Sequence, residues 1–120
     1  ASLVSENKIL SHPASVDSIP TSADKEDHVS MGTIAARKFA KIVENCENIL
    51  AMELLSACQG LDLLKPLKPE GVIGEVYSIV RSQVPFAEKD RVFSDDIGLI
   101  RTLIQSEKIL TFKRAHELLV

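Results

Sequence analysis

A chain of 120 residues is long enough for one domain of ordinary size, and its 45% hydrophobic and 26% charged composition is globular rather than disordered. The net charge is −3, and only four Phe and one Tyr are aromatic, so there is neither a basic field for phosphates nor a stacking platform for bases. That excludes nucleic-acid binding. No apolar run reaches the roughly 20 residues that cross a bilayer, so no membrane span is expected.

Residues 1–22 read as irregular. Ser11, Pro13, Ser15, Asp17, Ser18, Pro20, Thr21 and Ser22 crowd together, and the two prolines break any helix between them. Leu3, Val4, Ile9, Leu10, Val16 and Ile19 in the same stretch predict a loop packed against protein rather than one loose in water. The chain starts at Ala1 rather than Met, so it is expected to be a fragment or a processed product.

From Met31 to Leu61 the pattern is helical. Met31, Ile34, Ala35, Phe39, Ile42, Val43, Cys46, Ile49, Leu50, Leu54, Ala57, Cys58 and Leu61 recur at gaps of one, three and four, the mark of one continuous helix face. Arg37, Lys38, Lys41, Glu44 and Glu47 take the solvated side, with Lys41 and Glu44 spaced to pair. Gly60 is placed to stop the rod, which at about 1.5 Å per residue runs about 40–45 Å. Pro66, Pro69 and Gly71 then interrupt the pattern. A second helix follows with Pro69 near its first turn and Val72, Ile73, Val76, Tyr77, Val80 and Val84 on one stripe, and Pro85 ends it. Ser94 reads as an N-cap, with Asp95 and Asp96 in the favourable first turn and Ile97, Ile100, Leu103 and Ile104 facing inward. A short last helix is expected over Ile109 to Leu119. No strand-like alternation occurs, so the fold class is all-α: a long central helix over about 31–61 with shorter helices packed on it.

The stretch His12-Pro-Ala-Ser-Val-Asp-Ser-Ile-Pro-Thr-Ser-Ala-Asp-Lys-Glu-Asp-His-Val-Ser-Met-Gly32 resembles the segment of histidine ammonia-lyases that runs into a long helix beside the active site. Glu26-Asp27-His28-Val29-Ser30-Met31 is its sharpest element. The likeness continues at Ala35-Ala36-Arg37-Lys38, Glu44-Asn45 and Ala57-Cys58-Gln59-Gly60-Leu61-Asp62, and more loosely through Arg81 and Asp90-Arg91 to Asp95-Asp96-Ile97. The resemblance implies the carboxy-terminal portion of a homotetrameric lyase that converts L-histidine to trans-urocanate with loss of ammonia. On that basis residues 1–29 are an irregular segment contributing to the active site, and 30–120 the helical part of the lyase core. The two cysteines and the lack of an apolar span or visible signal peptide lead to the expectation of a cytoplasmic chain.

The family's electrophile is a methylidene-imidazolone formed from an internal Ala-Ser-Gly. That tripeptide is absent here: Ala1-Ser2 is followed by Leu3, and Ala14-Ser15 by Val16. These residues alone are therefore expected to be inactive and to need other segments of the same enzyme. Glu26 matches the family's active-site glutamate beside the bound amino acid, where related phenylalanine lyases usually carry Gln. The resemblance thus assigns Glu26 both catalytic and substrate-binding roles and favours histidine. The chemistry is sound on its own terms. A carboxylate holds an ammonium or imidazolium by a charge-assisted hydrogen bond and, if desolvated, serves as a general base. A place near a helix start favours its anionic form, and so the cation-holding role.

Plainer readings compete elsewhere. Without the resemblance Glu26 and Asp27 are simply acidic residues at a helix N-terminus. His12 and His28 with Asp17 or Asp24 match no metal-ligand spacing, so no metal is expected, and His28 reads as a hydrogen-bonder at the helix entrance. Cys46 and Cys58, too few for a disulfide framework, lie about 120° apart around one helix and read as small buried hydrophobes with free thiols. Two other functions remain open: a non-catalytic helical interaction module, and an aromatic amino acid lyase or aminomutase of other specificity.

Overall fold

The computed structural model describes residues 1–16 and 18–109. Four helices follow in order: α1 (Ser2–Leu10), α2 (Gly32–Leu63), α3 (Gly71–Gln83) and α4 (Phe93–Gln105). No strand occurs among the described residues. The expected helix at Ile109 to Leu119 falls, beyond Ile109, outside them. The chain forms two compact units, Ala1–Cys46 and Glu47–Val120, and the long helix α2 contributes to both.

In Ala1–Cys46 the first ten residues are not irregular as expected, because both helix-breaking prolines lie beyond Leu10. Leu3, Asn7 and Leu10 share its half-buried face at the three- and four-residue spacing of a helix. Polar contacts tie α1 to α2. Asn45, only 1% exposed, donates from Nδ2 to Glu6 Oε2 at 3.0 Å and to Asn7 Oδ1 at 2.9 Å. Asn7 Nδ2 in turn points at Cys46 Sγ, 3.6 Å away. Cys46 is exposed, contrary to expectation, because its position on α2 differs from that of Cys58, which alone reaches the core.

In Glu47–Val120 the helices converge on the expected Cys58, Val80, Val84 and Ile100, joined by Ala51, with Leu54, Leu55, Tyr77, Ile97 and Ile104 packed around them. Ile73 is the exception on the α3 stripe; it is exposed. Gly60 does not stop α2, which continues to Leu63. With no side chain or special backbone demand there, Gly60 is an ordinary helical residue, and the break comes from the turn into Pro66, which has no N–H to donate. Ser94 is not the cap of α4 either. The helix begins two residues earlier than that cap implies, at Phe93, Val92 occupies the cap, and the Ser94 hydroxyl turns to Asp95. Asp95 and Asp96 do lie in the first turn.

Two buried carboxylates lock this unit. Asp96 accepts from Arg91 Nε at 2.8 Å, while the same guanidinium donates to the carbonyls of Pro85 and Phe86. Asp62, 6% exposed, accepts from Tyr77 Oη and Arg81 Nε at 2.8 Å each and from Lys65 Nζ at 3.0 Å. Gln59 holds the α3–α4 loop by two bonds to the backbone of Ala87. Between α2 and α3 the chain approaches itself closely, and a Cβ on Gly74 would sit 2.6 Å from the Pro69 carbonyl oxygen. Gly74→Ala is therefore expected to destabilise by about 1–3 kcal/mol through this backbone clash, against a helix-propensity gain of about 1 kcal/mol. A urea-unfolding midpoint unchanged or raised in that variant would contradict the expectation.

Candidate active site

The residues that carry the resemblance lie in the loop between α1 and α2, within Ala1–Cys46. Thr21 and Glu26 pair as an isolated antiparallel bridge: Thr21 N donates to Glu26 O at 2.8 Å, and Glu26 N to Thr21 O at 3.3 Å. The four residues between them turn the chain back on itself. Ser22, Ala23 and Asp24 all have positive φ, at 54°, 54° and 63°. Left-handed backbone costs a non-glycine residue about 1–2 kcal/mol, so three in a row persist only where the surroundings impose them. Here the bridge does so, aided by Lys25 N donating to Ser22 O at 3.3 Å.

Glu26 is exposed, and its carboxylate is held from within the turn: Thr21 Oγ1 donates to Glu26 Oε2 at 3.2 Å. The expected help from a helix start is absent. α2 begins six residues later at Gly32 and has no acidic residue in its first turn, so its dipole, which fades within that turn, does not reach Glu26 or Asp27. Met31, with φ at 51°, turns the chain into the helix, and its carbonyl receives the first bond from Ala35 N at 3.0 Å.

Side chains outside the motif anchor the rest of the loop. Ser18 Oγ accepts from Val29 N at 2.8 Å and donates to Val29 O at 3.3 Å, which ties together the two ends of residues 18–29. The expected hydrogen-bonder, His28, is exposed instead. Lys38 is half-buried rather than solvated, and its ammonium donates to the His12 carbonyl from the first turns of α2. His12 turns its ring back to the Ile9 carbonyl at 3.1 Å. Lys41 and Glu44 form the expected pair at 3.0 Å. Among the described residues no group of three or more His, Cys, Asp or Glu could hold a metal ion.

Sequence reasoning singled out Glu26 as a candidate but not Thr21, Ser18 and Lys38, whose side chains hold its loop. Thr21 precedes Glu26 by five positions across a segment with the composition of an ordinary turn, and only the run of left-handed residues brings the two together. In Glu47–Val120 an open groove walled by Met52, Leu55, Gln59, Phe93 and Ile97 is mainly apolar and contains none of the residues singled out for chemistry. Such a surface suits protein contact.

Residues 1–82 match the family model for aromatic amino acid lyases. The chain is 52% identical over 109 residues to a histidine ammonia-lyase of Caenorhabditis elegans, covering 91% of this chain and 16% of that protein. The crystal structure of histidine ammonia-lyase from Trypanosoma cruzi superposes with a TM-score of 0.84 at 55% identity, covering 90% of this chain and 21% of the other. A tyrosine aminomutase from Streptomyces globisporus follows the same fold with a TM-score of 0.81 at 35% identity, again covering 91% of this chain and 21% of its own. The chain thus spans only about a fifth of the length of the proteins it matches. Helical architecture, the sequence running from the Glu26 turn into α2, and the family model agree: the chain belongs to the aromatic amino acid lyase family.

Proposed function

We propose that these residues form one wall of the active site of a histidine ammonia-lyase, which removes ammonia from L-histidine to give trans-urocanate. The observation that carries the reading is the Glu26 carboxylate, exposed on a closed turn with one oxygen held and the other free. The family resemblance implies a substrate-side glutamate at this position. Identity of 52–55% to proteins named histidine ammonia-lyase, against 35% to the aminomutase, favours the histidine lyase over the other members and over a non-catalytic helical module.

The elimination breaks the Cα–N bond and a Cβ–H bond, forms the Cα=Cβ double bond, and releases ammonia and a proton. Glu26 grips a cationic group of the substrate, imidazolium or ammonium, through Oε1, so the histidine is oriented before reaction. Once the rest of the enzyme excludes water from the turn, the same carboxylate is placed to take up a proton. The methylidene-imidazolone that the family implies supplies the electrophile when present. Its Ala-Ser-Gly precursor does not occur in these 120 residues, so in this reading residues outside them supply the group.

The enzyme is proposed to work in the cytoplasm as a homotetramer. No helix of the described residues is long and apolar enough to cross a membrane, and both thiols are free. Phe39 and Val43 project exposed from α2 one turn apart, and exposed apolar side chains of this kind support burial against further subunits or the remaining chain. Turnover tests the reading. Full-length enzyme incubated with L-histidine is expected to accumulate urocanate, followed by its ultraviolet absorbance, while the 120 residues alone yield none. No urocanate from the intact enzyme would overturn it.

A further inference from the structure

We propose that Thr21 is a positioning residue for Glu26, a role that rests on the functional reading of that carboxylate. Three observations meet at this side chain. Its hydroxyl donates to Glu26 Oε2 at 3.2 Å, and its backbone exchanges two hydrogen bonds with Glu26. Between the two residues lie three successive left-handed residues, a conformation that the bridge closes. A glutamate on an exposed turn otherwise samples several rotamers, and each binding event must freeze them. The Thr21 hydroxyl removes that freedom by occupying one carboxylate oxygen, so that Oε1 faces the substrate in a fixed direction. Because the same residue closes the turn through its backbone, the direction of Oε1 is set relative to the loop and not merely to the side chain.

Thr21 has the right chemistry for the task. A neutral hydroxyl donor leaves the negative charge of Glu26 available to the substrate cation, whereas a lysine or arginine in its place would neutralise it. The β-branched carbon also suits extended backbone, the conformation that a bridge residue requires.

The test uses the full-length enzyme with Thr21→Val, which keeps the shape and removes the hydroxyl. A lost hydrogen bond to a charged group predicts a fall of about tenfold in kcat/KM for L-histidine. Thr21→Ser, which restores the donor, is expected to return activity to within about threefold. The loss should also appear in the same parameter, kcat or KM, that Glu26→Gln alters, and Thr21→Val should add nothing in the Glu26→Gln background. If the valine variant does not fold, Thr21→Ala serves the same comparison. Full activity in the valine variant alongside an impaired Glu26→Gln enzyme would overturn the positioning role and leave the functional reading intact. Additive losses in the double variant would overturn it too, because Thr21 would then act elsewhere. An unimpaired Glu26→Gln enzyme would instead remove the reading on which the proposal stands.

Discussion

Glu26→Gln in the full-length enzyme is expected to lower kcat/KM for L-histidine by about 30- to 1,000-fold, a loss of about 2–4 kcal/mol of transition-state stabilisation. Glutamine keeps the length of the side chain, and the backbone bridge between residues 21 and 26 does not depend on its charge, so the turn survives. What disappears is the negative charge proposed to grip the substrate cation. A charge-assisted hydrogen bond is about twice as strong as a neutral one, which is why so conservative a change should be so costly. Steady-state kinetics with circular dichroism as a control for folding separates the two effects. Equal kinetics in both enzymes would remove Glu26 from the site.

The second large effect concerns the fold. Asp62→Ala is expected to destabilise by about 3–5 kcal/mol, the cost of breaking a buried ion pair by deleting one partner. Arg81, whose side chain is 11% exposed, would lose its carboxylate and keep only the Val84 carbonyl as acceptor. One of its nitrogens, Nη2, is already buried without a partner among the described residues, so the remaining charge would be poorly compensated. The Tyr77 hydroxyl would lose its acceptor at the same time.

Protonation weakens the same lock. Burial raises the Asp62 pKa, but the hydrogen bonds from Tyr77 and Lys65 and the charge and bond of Arg81 outweigh it and hold the carboxyl below its ordinary value. A carboxyl that is more acidic when folded contributes stability above its unfolded pKa, about 4, and loses that contribution as pH falls through the lower folded value. Stability should therefore decline on acidification below about pH 4, and Asp62→Asn should flatten that decline. Urea titrations at several pH values read both effects. A wild-type midpoint insensitive to acid, or an Asp62→Ala midpoint within error of wild type, would contradict the role given to this cluster.

The helices were legible because apolar spacing is periodic. α2, α3 and α4 each begin and end within a few residues of the expectation from Met31, Ile34, Phe39 and their successors, from the Val72–Val84 stripe, and from Ile97 to Ile104. Boundaries were less legible where two signals compete. Gly60 has the composition of a stop, yet a glycine with no positive-φ demand continues a helix, and Pro66 sets the end. α1 was hidden because Pro13 and Pro20 dominate the composition of residues 1–22 while acting only on the second half. Long-range polar pairing has no local signature. Asn45 with Glu6, Asp62 with Arg81, and Lys38 with the His12 carbonyl join positions 19 to 39 residues apart. Glu26 was legible only through resemblance, since an acidic pair before a helix is commonplace. Its partner Thr21 was not legible, because the closure depends on left-handed residues at Ser22, Ala23 and Asp24 that the sequence does not announce.

Product analysis of the full-length enzyme with L-histidine and L-tyrosine as competing substrates separates a histidine lyase from its relatives. Trans-urocanate and ammonia in equal amounts are expected from L-histidine, with little turnover of L-tyrosine. A β-amino acid in place of urocanate, or a preference for L-tyrosine, would contradict the proposed function.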